Sequence, residues 1–454
     1  MCFQILRRNF LKGLGAITAA NTLPGLSLMN AYAQAANGYK ALVCVFLYGG
    51  NDGNNMVVPV QAAEYTAYAQ GRGAGAGGLA LAQGSLVQLA QAGGARFGLH
   101  ANLAPLQQVW ANGDMAVLLN AGPLVQPVTR AQYRANRSTR PANLFSHDDQ
   151  QEQMQTAIPN NQQNTGWGGR LGDRVVALNA GSTVPMNISV GGNDVFLKGQ
   201  SVPAYSVPAG GQFGLNGFNN TAQANARRAA LQQLFALDRQ NNMVRSASDV
   251  ISGAVNASTA LNTVVNNNAS LATPAFQNLN TGLSRQLFTV AKMIEGRTQL
   301  GLSRQVFFAQ AGGYDNHQNQ IADQGGRFNE LGPALRAFYN AIVALGVQDQ
   351  VTLFTLSDFG RTLRVNDGGS DHAWGNHHLI IGGAVQGGAS YGAFPNQALG
   401  GPDDTDSDGR WIPTTAVDQY AATLAKWFGV PDADIPAVVP NIARFPTRDL
   451  GFMA

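Results

Sequence analysis

The sequence contains few ionisable side chains and almost no cysteine. Charged residues make up 12% of its 454 residues, and only five of the 29 basic residues are lysine. The arginines form no stripe that could neutralise a run of phosphates, so no nucleic-acid partner is expected. Cys2 and Cys44 cannot build a disulfide framework or a cysteine zinc site. The 45% of apolar residues excludes a disordered chain and allows a large core.

The first 33 residues differ in charge from the rest of the chain. They contain no acid and three bases, Arg7, Arg8 and Lys12, in an order that resembles a twin-arginine export signal. A short apolar stretch and a small-residue site at 31–33 follow, which predicts cleavage after residue 33. A basic N-terminal helix or a membrane anchor is the alternative. The apolar run is too short and too interrupted for a stable membrane span.

Removing this segment changes the net charge of the chain and the number of its cysteines. The 29 bases less these three leave 26 bases against 26 acids, so the mature chain is formally neutral. Cys2 leaves with the signal, and Cys44 then has no intrachain partner even in an oxidising compartment. We expect a periplasmic or secreted protein with the twin-arginine translocase as its partner during export. That route carries folded proteins, often with a cofactor already bound.

Apolar runs rich in β-forming residues alternate with helical patterns along the mature chain. The alternation predicts an α/β fold with a three-layer, mostly parallel sheet. The stretch 221–296 has no such run, and its Leu, Val and Ile recur at helical spacing, so we predict a helical insertion or cap there. The α/β domain then comprises 34–220 and 297–454. The predicted strands are 41–48, 115–119, 305–309, 351–356 and 379–381, and the predicted helices include 103–110 and 328–345.

Five of the six histidines lie in polar segments beside predicted strand ends, where open parallel sheets bind their ligands. The first strand is followed by Gly-Gly-Asn and Asp52, a candidate ligand for a hard cation; an Asx turn that caps a helix is the alternative. Ser146 is either a helix N-cap or a nucleophile whose attacked phosphoryl or sulfuryl group would lie at the helix N-terminus. The adjacent His147 is a second catalytic candidate.

Two later strand ends supply further candidates. Asp315 and His317 are two residues apart and can converge on one ion. The strand predicted at 351–356 is followed by Asp358, a candidate metal ligand, and by Arg361. Arg361 is a candidate clamp for an anionic substrate, with surface pairing as the alternative.

The densest segment is Asp-His-Ala-Trp-Gly-Asn-His-His from residue 371, in which His372 or His377 can supply another imidazole. Imidazole and carboxylate together suit zinc, iron or manganese. A separate loop with aspartates at 404, 406 and 408 has the spacing of a calcium site. Thr415 stands where the calcium-binding glutamate is expected, so a solvated turn is favoured over a calcium ion there.

Seven stretches together carry a resemblance that spans nearly the whole mature chain. They are VFLYGGNDGNNMVVP from Val45, LFSHDDQ from Leu144, GWGGRL from Gly166, GGYDNHQNQ from Gly312, SDFGRT from Ser357, DHAWGNHH from Asp371 and GRWIPTT from Gly409. At these residues the chain resembles the twin-arginine-exported bacterial family called domain of unknown function 1501. That family is similar to the alkaline phosphatase and sulfatase superfamily, which implies an alkaline-phosphatase-like sheet with a metal site and a Ser, Thr or Cys nucleophile.

The resemblance also implies roles for individual residues. Asp52 matches the first metal carboxylate, Ser146 the nucleophile, and Asp358 the aspartate of an Asp-His pair whose histidine is replaced here by Phe359. Asp315 and His317 match an Asp and a His of the superfamily, although the superfamily has these two residues four positions apart and this chain has them two apart. The last imidazole would come from His372 or His377.

The sequence therefore predicts a periplasmic metal-dependent hydrolase of phosphate or sulfate esters, acting on a small anionic substrate. The alternative is a non-catalytic exported protein that keeps the fold and binds a protein partner. A calcium-stabilised surface protein is a third interpretation, and it depends on the aspartate loop at 404–408.

Overall fold

A computed structural model describes residues 38–91, 93–160, 164–210, 213–214 and 221–454. The predicted export signal, residues 1–33, lies outside these ranges.

Within the described ranges the chain forms twelve strands: β1 (Lys40–Leu47), β2 (Val57–Pro59), β3 (Val87–Gln88), β4 (Phe97–Leu99), β5 (Met115–Gly122), β6 (Asn187–Ser189), β7 (Ala204–Ser206), β8 (Arg304–Ala311), β9 (Val351–Ser357), β10 (Asn376–Ile381), β11 (Ala389–Tyr391) and β12 (Thr415–Ala416). The same ranges hold twelve α-helices: α1 (Gly53–Met56), α2 (Ala62–Arg72), α3 (Gln107–Ala111), α4 (Arg130–Ala135), α5 (His147–Thr156), α6 (Trp167–Val175), α7 (Ala222–Ala236), α8 (Asn242–Val265), α9 (Gly282–Glu295), α10 (Gln320–Ala344), α11 (Val417–Phe428) and α12 (Ile435–Val438).

Nine of these strands form the main sheet, in the order β11-β5-β10-β9-β1-β8-β6-β7 with β12 beside β5. Its strand pairs are parallel except the two made by β10, which runs against β9 and β5. Every residue of β5 and β9, and all but the first of β1, is buried. Because successive residues point to opposite faces, both faces of the sheet are covered. The predicted three-layer, mostly parallel α/β fold is confirmed.

The strand register brings several loops to one edge of the sheet. Leu47, the last residue of β1, pairs with Ala311 at the end of β8 and with Ser357 at the end of β9. The chain therefore leaves these three strands side by side. Since β10 is antiparallel and begins at Asn376, the segment before it enters the sheet at the same edge.

The long predicted strands agree with the structure, and the shorter strands were not foreseen. β1, β5, β8 and β9 each cover a predicted apolar run within three residues at either end. β10 begins three residues earlier than predicted, which draws His377 and His378 into the strand and buries them. The small antiparallel sheet β2-β4-β3 consists of strands of two or three residues, too short to show a period in the sequence.

The stretch 221–296 contains the helices α7, α8 and α9 and none of the strands. Leu287 and Val290 of α9 and Leu261 of α8 are buried in the main core. By contrast, Ala224 is the one buried residue of α7, and Met243 at the start of α8 is 83% exposed. The division of the chain into an α/β domain and a helical insertion stays a prediction.

Candidate metal centre

Three side chains from separate parts of the chain converge above the sheet edge. They are His147 at the start of α5, Asp315 after β8, and His372 in the segment before β10. One ligand atom from each lies within 4.8 Å of the other two. Imidazole nitrogens and a carboxylate in this arrangement are the donors that zinc, manganese and iron accept.

A buried carboxylate fixes the orientation of His147. The Nδ1 of His147 lies 2.7 Å from an Oδ2 of Asp358, and this oxygen also accepts a hydrogen bond from Gln151. Since a carboxylate only accepts, Nδ1 carries the proton and Nε2 carries the lone pair. Among the described residues Nε2 has no hydrogen-bond partner, and it lies 3.5 Å from Asp315. The bond to Asp358 raises the pKa of His147, which makes the ring a stronger base and a better ligand.

A buried guanidinium and close backbone packing hold Asp315. Arg361 donates to Oδ1 of Asp315 and is itself 1% exposed. Burial alone would raise the pKa of Asp315, but the Arg361 guanidinium beside it is the main cause that lowers the pKa, to about 2. The backbone of Asp315 also leaves no room for a side chain at Gly49, where an added Cβ would lie 2.5 Å from the Asp315 nitrogen.

A backbone carbonyl orients His372. Its Nδ1 lies 2.8 Å from the oxygen of Phe145, which can only accept, so the neutral ring has its lone pair on Nε2. Phe145 has a φ of 74°, a left-handed conformation that is rare for a bulky residue and that concentrates at functional sites. Burial lowers the pKa of His372, which keeps the ring neutral.

His317 lies on the exposed side of the group. Its Nε2 is 2.9 Å from Oδ1 of Asp315 and 3.2 Å from Nε2 of His372. Its Nδ1 lies 3.6 Å from a carboxylate oxygen of Asp371. The side chain is 47% exposed, so His317 can approach a bound ion from the solvent.

The aromatic ring of Phe359 packs against two of the converging histidines. Its ring lies 4.8 Å from the ring of His147 and 4.6 Å from that of His372. A Cβ added at Gly50 would lie 2.3 Å from the Phe359 ring, and the φ of Gly50 is +76°. The Gly-Gly turn after β1 is therefore explained by this ring and by the Asp315 backbone.

The donor set fits a divalent ion. In the neutral tautomers assigned above, the Nε2 lone pairs of His147 and His372 both face the Asp315 carboxylate, and the His372 nitrogen is 3.3 Å from Oδ1. Electron-rich atoms that face one another at this distance repel unless a cation lies between them. Each ligand also has a hydrogen-bond partner that fixes its orientation, as is common for metal ligands in proteins.

Arg361 bonds the protein's own loops and does not have the predicted role of a substrate clamp. Its Nε donates to the carbonyl of Gly50 and its Nη1 to that of Ser370, at 2.9 and 2.8 Å. Its Nη2 donates to the carbonyls of Gly49 and Tyr314 and to the carboxylate of Asp315. The guanidinium is buried and ties together the loops that follow β1 and β8, so it is not available to an anionic substrate.

Two predicted metal ligands lie apart from the centre. Asp52 caps α1 through the N–H of Asn54, and its other oxygen accepts from Arg72 and Gln320 in a buried ion pair. His377 is on β10, where its Nδ1 accepts the N–H of Asn120, and burial lowers its pKa to about 3. Neither belongs to the group of converging ligands, because Asp52 faces α2 and His377 faces the core.

Ser146 occupies the predicted N-cap position of α5, but its side chain does not cap the helix. Its hydroxyl donates to Oδ2 of Asp149 across 2.6 Å. A hydroxyl that donates to a carboxylate is the pairing expected of a nucleophile and its base, and it is also a common local contact in a first helical turn.

The acidic loop at 404–409 is organised by protein groups. The carboxylate of Asp404 accepts four backbone N–H groups, from Gly400, Asp406, Gly409 and Arg410. Arg410 pairs with Asp406 and with Asp408. The sequence favours a solvated turn over a calcium site here, whereas Asp404 is fully buried and its carboxylate is bonded by protein N–H groups. Arg410 also donates to the carbonyl of His372, which links the loop to the metal centre.

Two groups that help to orient the converging histidines are not predicted from the sequence. Gln151 lies one helical turn after His147, so the helical period of α5 could have placed its amide beside Asp358. The sequence does not indicate that the carbonyl of Phe145 supports His372, because a positive φ at phenylalanine cannot be read from the sequence.

Comparison with solved structures finds matches over most of the chain at low identity. Ps i-CgsB, solved in complex with k-i-k-neocarrahexaose, is 9% identical, has a TM-score of 0.34, and the match covers 89% of this chain and 77% of that one. The PsFucS1 sulfatase from Pseudoalteromonas sp. is 8% identical, with a TM-score of 0.34 and coverage of 91% and 73%. BT1596, a 2-O GAG sulfatase, is 11% identical, with a TM-score of 0.32 and coverage of 89% and 74%.

No curated protein matches the chain. Within the described residues, no helix combines the length and the apolar character needed to cross a bilayer. The model of one family matches residues 39–405, which is most of the sequence, and the chain belongs to that family, described as protein of unknown function (DUF1501).

Proposed function

We propose that this protein is a metal-dependent hydrolase of phosphate or sulfate esters. His147, Asp315 and His372 would hold one divalent ion, and His317 would approach it from the solvent side. The observation that carries the proposal is the convergence of two imidazole Nε2 atoms on one carboxylate. Three imidazoles with one carboxylate favour zinc, manganese or iron over calcium.

The surrounding residues prepare the site. In the neutral ring of His147, Asp358 places the proton on Nδ1 and leaves the lone pair on Nε2, and the Phe145 carbonyl does the same for His372. Arg361 holds Asp315 ionised and in place. A bound divalent ion supplies Lewis-acid chemistry that neutralises charge on the ester oxygens and lowers the pKa of a bound hydroxyl group or water.

Ser146 is the proposed nucleophile. Its Oγ would form a bond to phosphorus or sulfur as its proton passes to Asp149, 2.6 Å away, and the bond to the leaving alcohol oxygen would break. Water would then hydrolyse the seryl ester and restore the hydroxyl. The position next to His147 in sequence supports this role, because it brings the hydroxyl to the same helix end as a metal ligand.

Elemental analysis and turnover assays on the purified mature protein test the proposal. We expect about one equivalent of a transition metal, and hydrolysis of an aryl phosphate or aryl sulfate that is lost in His147→Ala. The matched control is His100→Gln, which alters a histidine that caps a turn outside the centre. A folded, metal-free protein that takes up no added zinc, manganese or iron, and that cleaves neither ester, contradicts the proposal.

A non-catalytic binding or assembly role is the second candidate. It is favoured by the position of Arg361, which leaves the predicted anion clamp occupied by backbone carbonyls. A stoichiometric partner recovered with the protein from the periplasm, with no turnover of either ester, would favour this role over hydrolysis.

Export through the twin-arginine translocase to the periplasm is part of the proposal. It is supported by the acid-free segment 1–33 with Arg7 and Arg8. Fractionation of cells that express the wild type and an Arg7→Lys, Arg8→Lys double variant tests it. Equal periplasmic yields from both proteins would contradict the twin-arginine route.

A further inference from the structure

Gln320, the first residue of α10, connects three segments of the chain beneath the metal centre. The residue is 1% exposed. Its backbone N–H donates to the carbonyl of Gly368 at 3.1 Å, and its Nε2 donates to Asp52 at 2.5 Å. Its Oε1 accepts the hydroxyl of Ser370 at 2.6 Å. Both polar ends of this buried amide therefore have partners from other loops.

Ser370 extends these contacts to the ligands. It lies two residues before His372, and its N–H donates across 3.3 Å to the carbonyl of Asn316, which stands between Asp315 and His317. Its own carbonyl accepts from Nη1 of Arg361 at 2.8 Å. The two ligand-bearing loops, residues 312–319 and 366–372, are thus joined at one serine.

The loops also touch through their backbones, and they are anchored from below. A Cβ added at Gly369 would lie 2.1 Å from the carbonyl carbon of His317, so the two chains are in direct contact there. On the other side of Gln320, Asp52 is held by its buried ion pair with Arg72 of α2. The contacts run from a fixed helix through Asp52, Gln320 and Ser370 to the loops.

We infer that Gln320 is a positioning residue for the metal centre, and that Asp52 and Arg72 act through it. The inference rests on the proposed function, because it concerns the same ion. Gln320 sets the spacing between the loop that carries Asp315 and the loop that carries His372. It touches neither ligand. Losing it leaves the ligands present but no longer fixes their separation. Partners that bond a metal ligand directly change metal affinity by about 10- to 100-fold when removed, and Gln320, one bond further out, should have an effect at the lower end of that range.

The test uses cobalt as the probe, because the visible absorption of bound Co²⁺ reports the geometry of its ligands. Gln320→Ala, Ser370→Ala and the control Gln324→Ala are compared with the wild type. Gln324 is also buried on α10, and its Nε2 donates to the carbonyl of Asp52 and to Asn51; among the described residues its side chain makes no hydrogen bond to either ligand-bearing loop. Cobalt affinity is measured by competition with a chelator, and melting temperature is measured in parallel.

We expect Gln320→Ala to weaken cobalt binding about tenfold and to shift the absorption bands. Ser370→Ala, which keeps the contact between Gln320 and Asp52, should shift the bands with a smaller loss of melting temperature. Gln324→Ala should lower the melting temperature and leave the spectrum unchanged. Unchanged spectra and affinities in both Gln320→Ala and Ser370→Ala overturn the inference alone. A wild type that binds no cobalt overturns the proposed metal centre, and the inference with it.

Discussion

His147 and Asp358 are 211 residues apart in the sequence and are joined by a hydrogen bond of 2.7 Å. The carboxylate is fully buried and also accepts the N–H of Gly49 and the amide of Gln151. Asp358 was predicted as a metal ligand. Its position instead makes it the partner that fixes which nitrogen of His147 faces Asp315, an arrangement that recurs behind metal-binding histidines.

Asp358→Asn tests this relationship. The amide can donate to Nδ1 of His147, which would move the ring proton to Nε2 and block the lone pair. We expect zinc affinity to fall about 10- to 100-fold, measured by chelator competition. The control is Asp371→Asn, which changes a carboxylate 3.6 Å from His317 and should have a much smaller effect. Equal losses in the two variants would contradict the role given to Asp358.

Arg361→Lys separates a structural role from a substrate clamp. Lysine keeps the charge but cannot reach several carbonyls at once, so buried acceptors would lose their donors. We expect the free energy of unfolding to fall by about 3 kcal/mol or more, measured by urea denaturation. A clamp predicts the opposite pattern, with nearly unchanged stability and a raised KM for the ester.

Ser146→Ala tests the nucleophile. We expect turnover of aryl esters to fall by roughly 100-fold or more while zinc affinity stays at the wild-type level. The Asp149→Asn variant should lower turnover in the same direction, because the proton acceptor of the hydroxyl is lost. If Ser146→Ala keeps the wild-type turnover, Ser146 is not the nucleophile, and a water molecule has that role.

Asp418 gives a pH dependence that is independent of the metal centre. It is fully buried at the start of α11, and among the described residues no side chain bonds its carboxylate. Burial raises its pKa to about 8, well above the ordinary value of 3.8. Between these values the folded state holds a proton that the unfolded state has released, so stability falls as pH rises.

The measurement is the free energy of unfolding of wild type and Asp418→Asn between pH 5 and pH 9. The free energy of unfolding of the wild type, relative to that of Asp418→Asn, should fall as pH rises, by up to roughly 1.4 kcal/mol per pH unit. This fall should level off above about pH 8. A difference that does not vary with pH would show that Asp418 does not titrate in this range.

The parts of the centre that sequence could predict are those fixed by strand ends. β1, β8 and β9 appear as continuous apolar runs, and parallel strands bring their following loops to one edge, so Asp315, His317 and Asp358 could be grouped. His372 was found because histidine is rare in this chain. His147, a ligand in the proposed metal centre, is predicted from its sequence neighbours as a catalytic residue, and the sequence gives no sign of its contact to Asp358.

The remaining assignments depended on partners that sequence spacing does not reveal. Asp52 follows β1 as predicted, yet Arg72, twenty residues later on α2, neutralises it. His377 was placed in a loop because β10 has only three clearly apolar residues at its end, and its earlier start buried the imidazole. Arg361 could be named but its five contacts could not, since four are to backbone carbonyls whose directions depend on the folded loops.

The reversed direction of β10 has a consequence for how the protein acquires an ion. Because His372 enters the sheet edge from the segment before a strand, the three converging ligands are spread from residue 147 to residue 372. In a growing or truncated chain, His372 is not held beside the other two until β10 pairs with β9. In the proposed metal centre, ion binding would therefore require a completed sheet, and a bound ion would distinguish a finished molecule from a partly folded one.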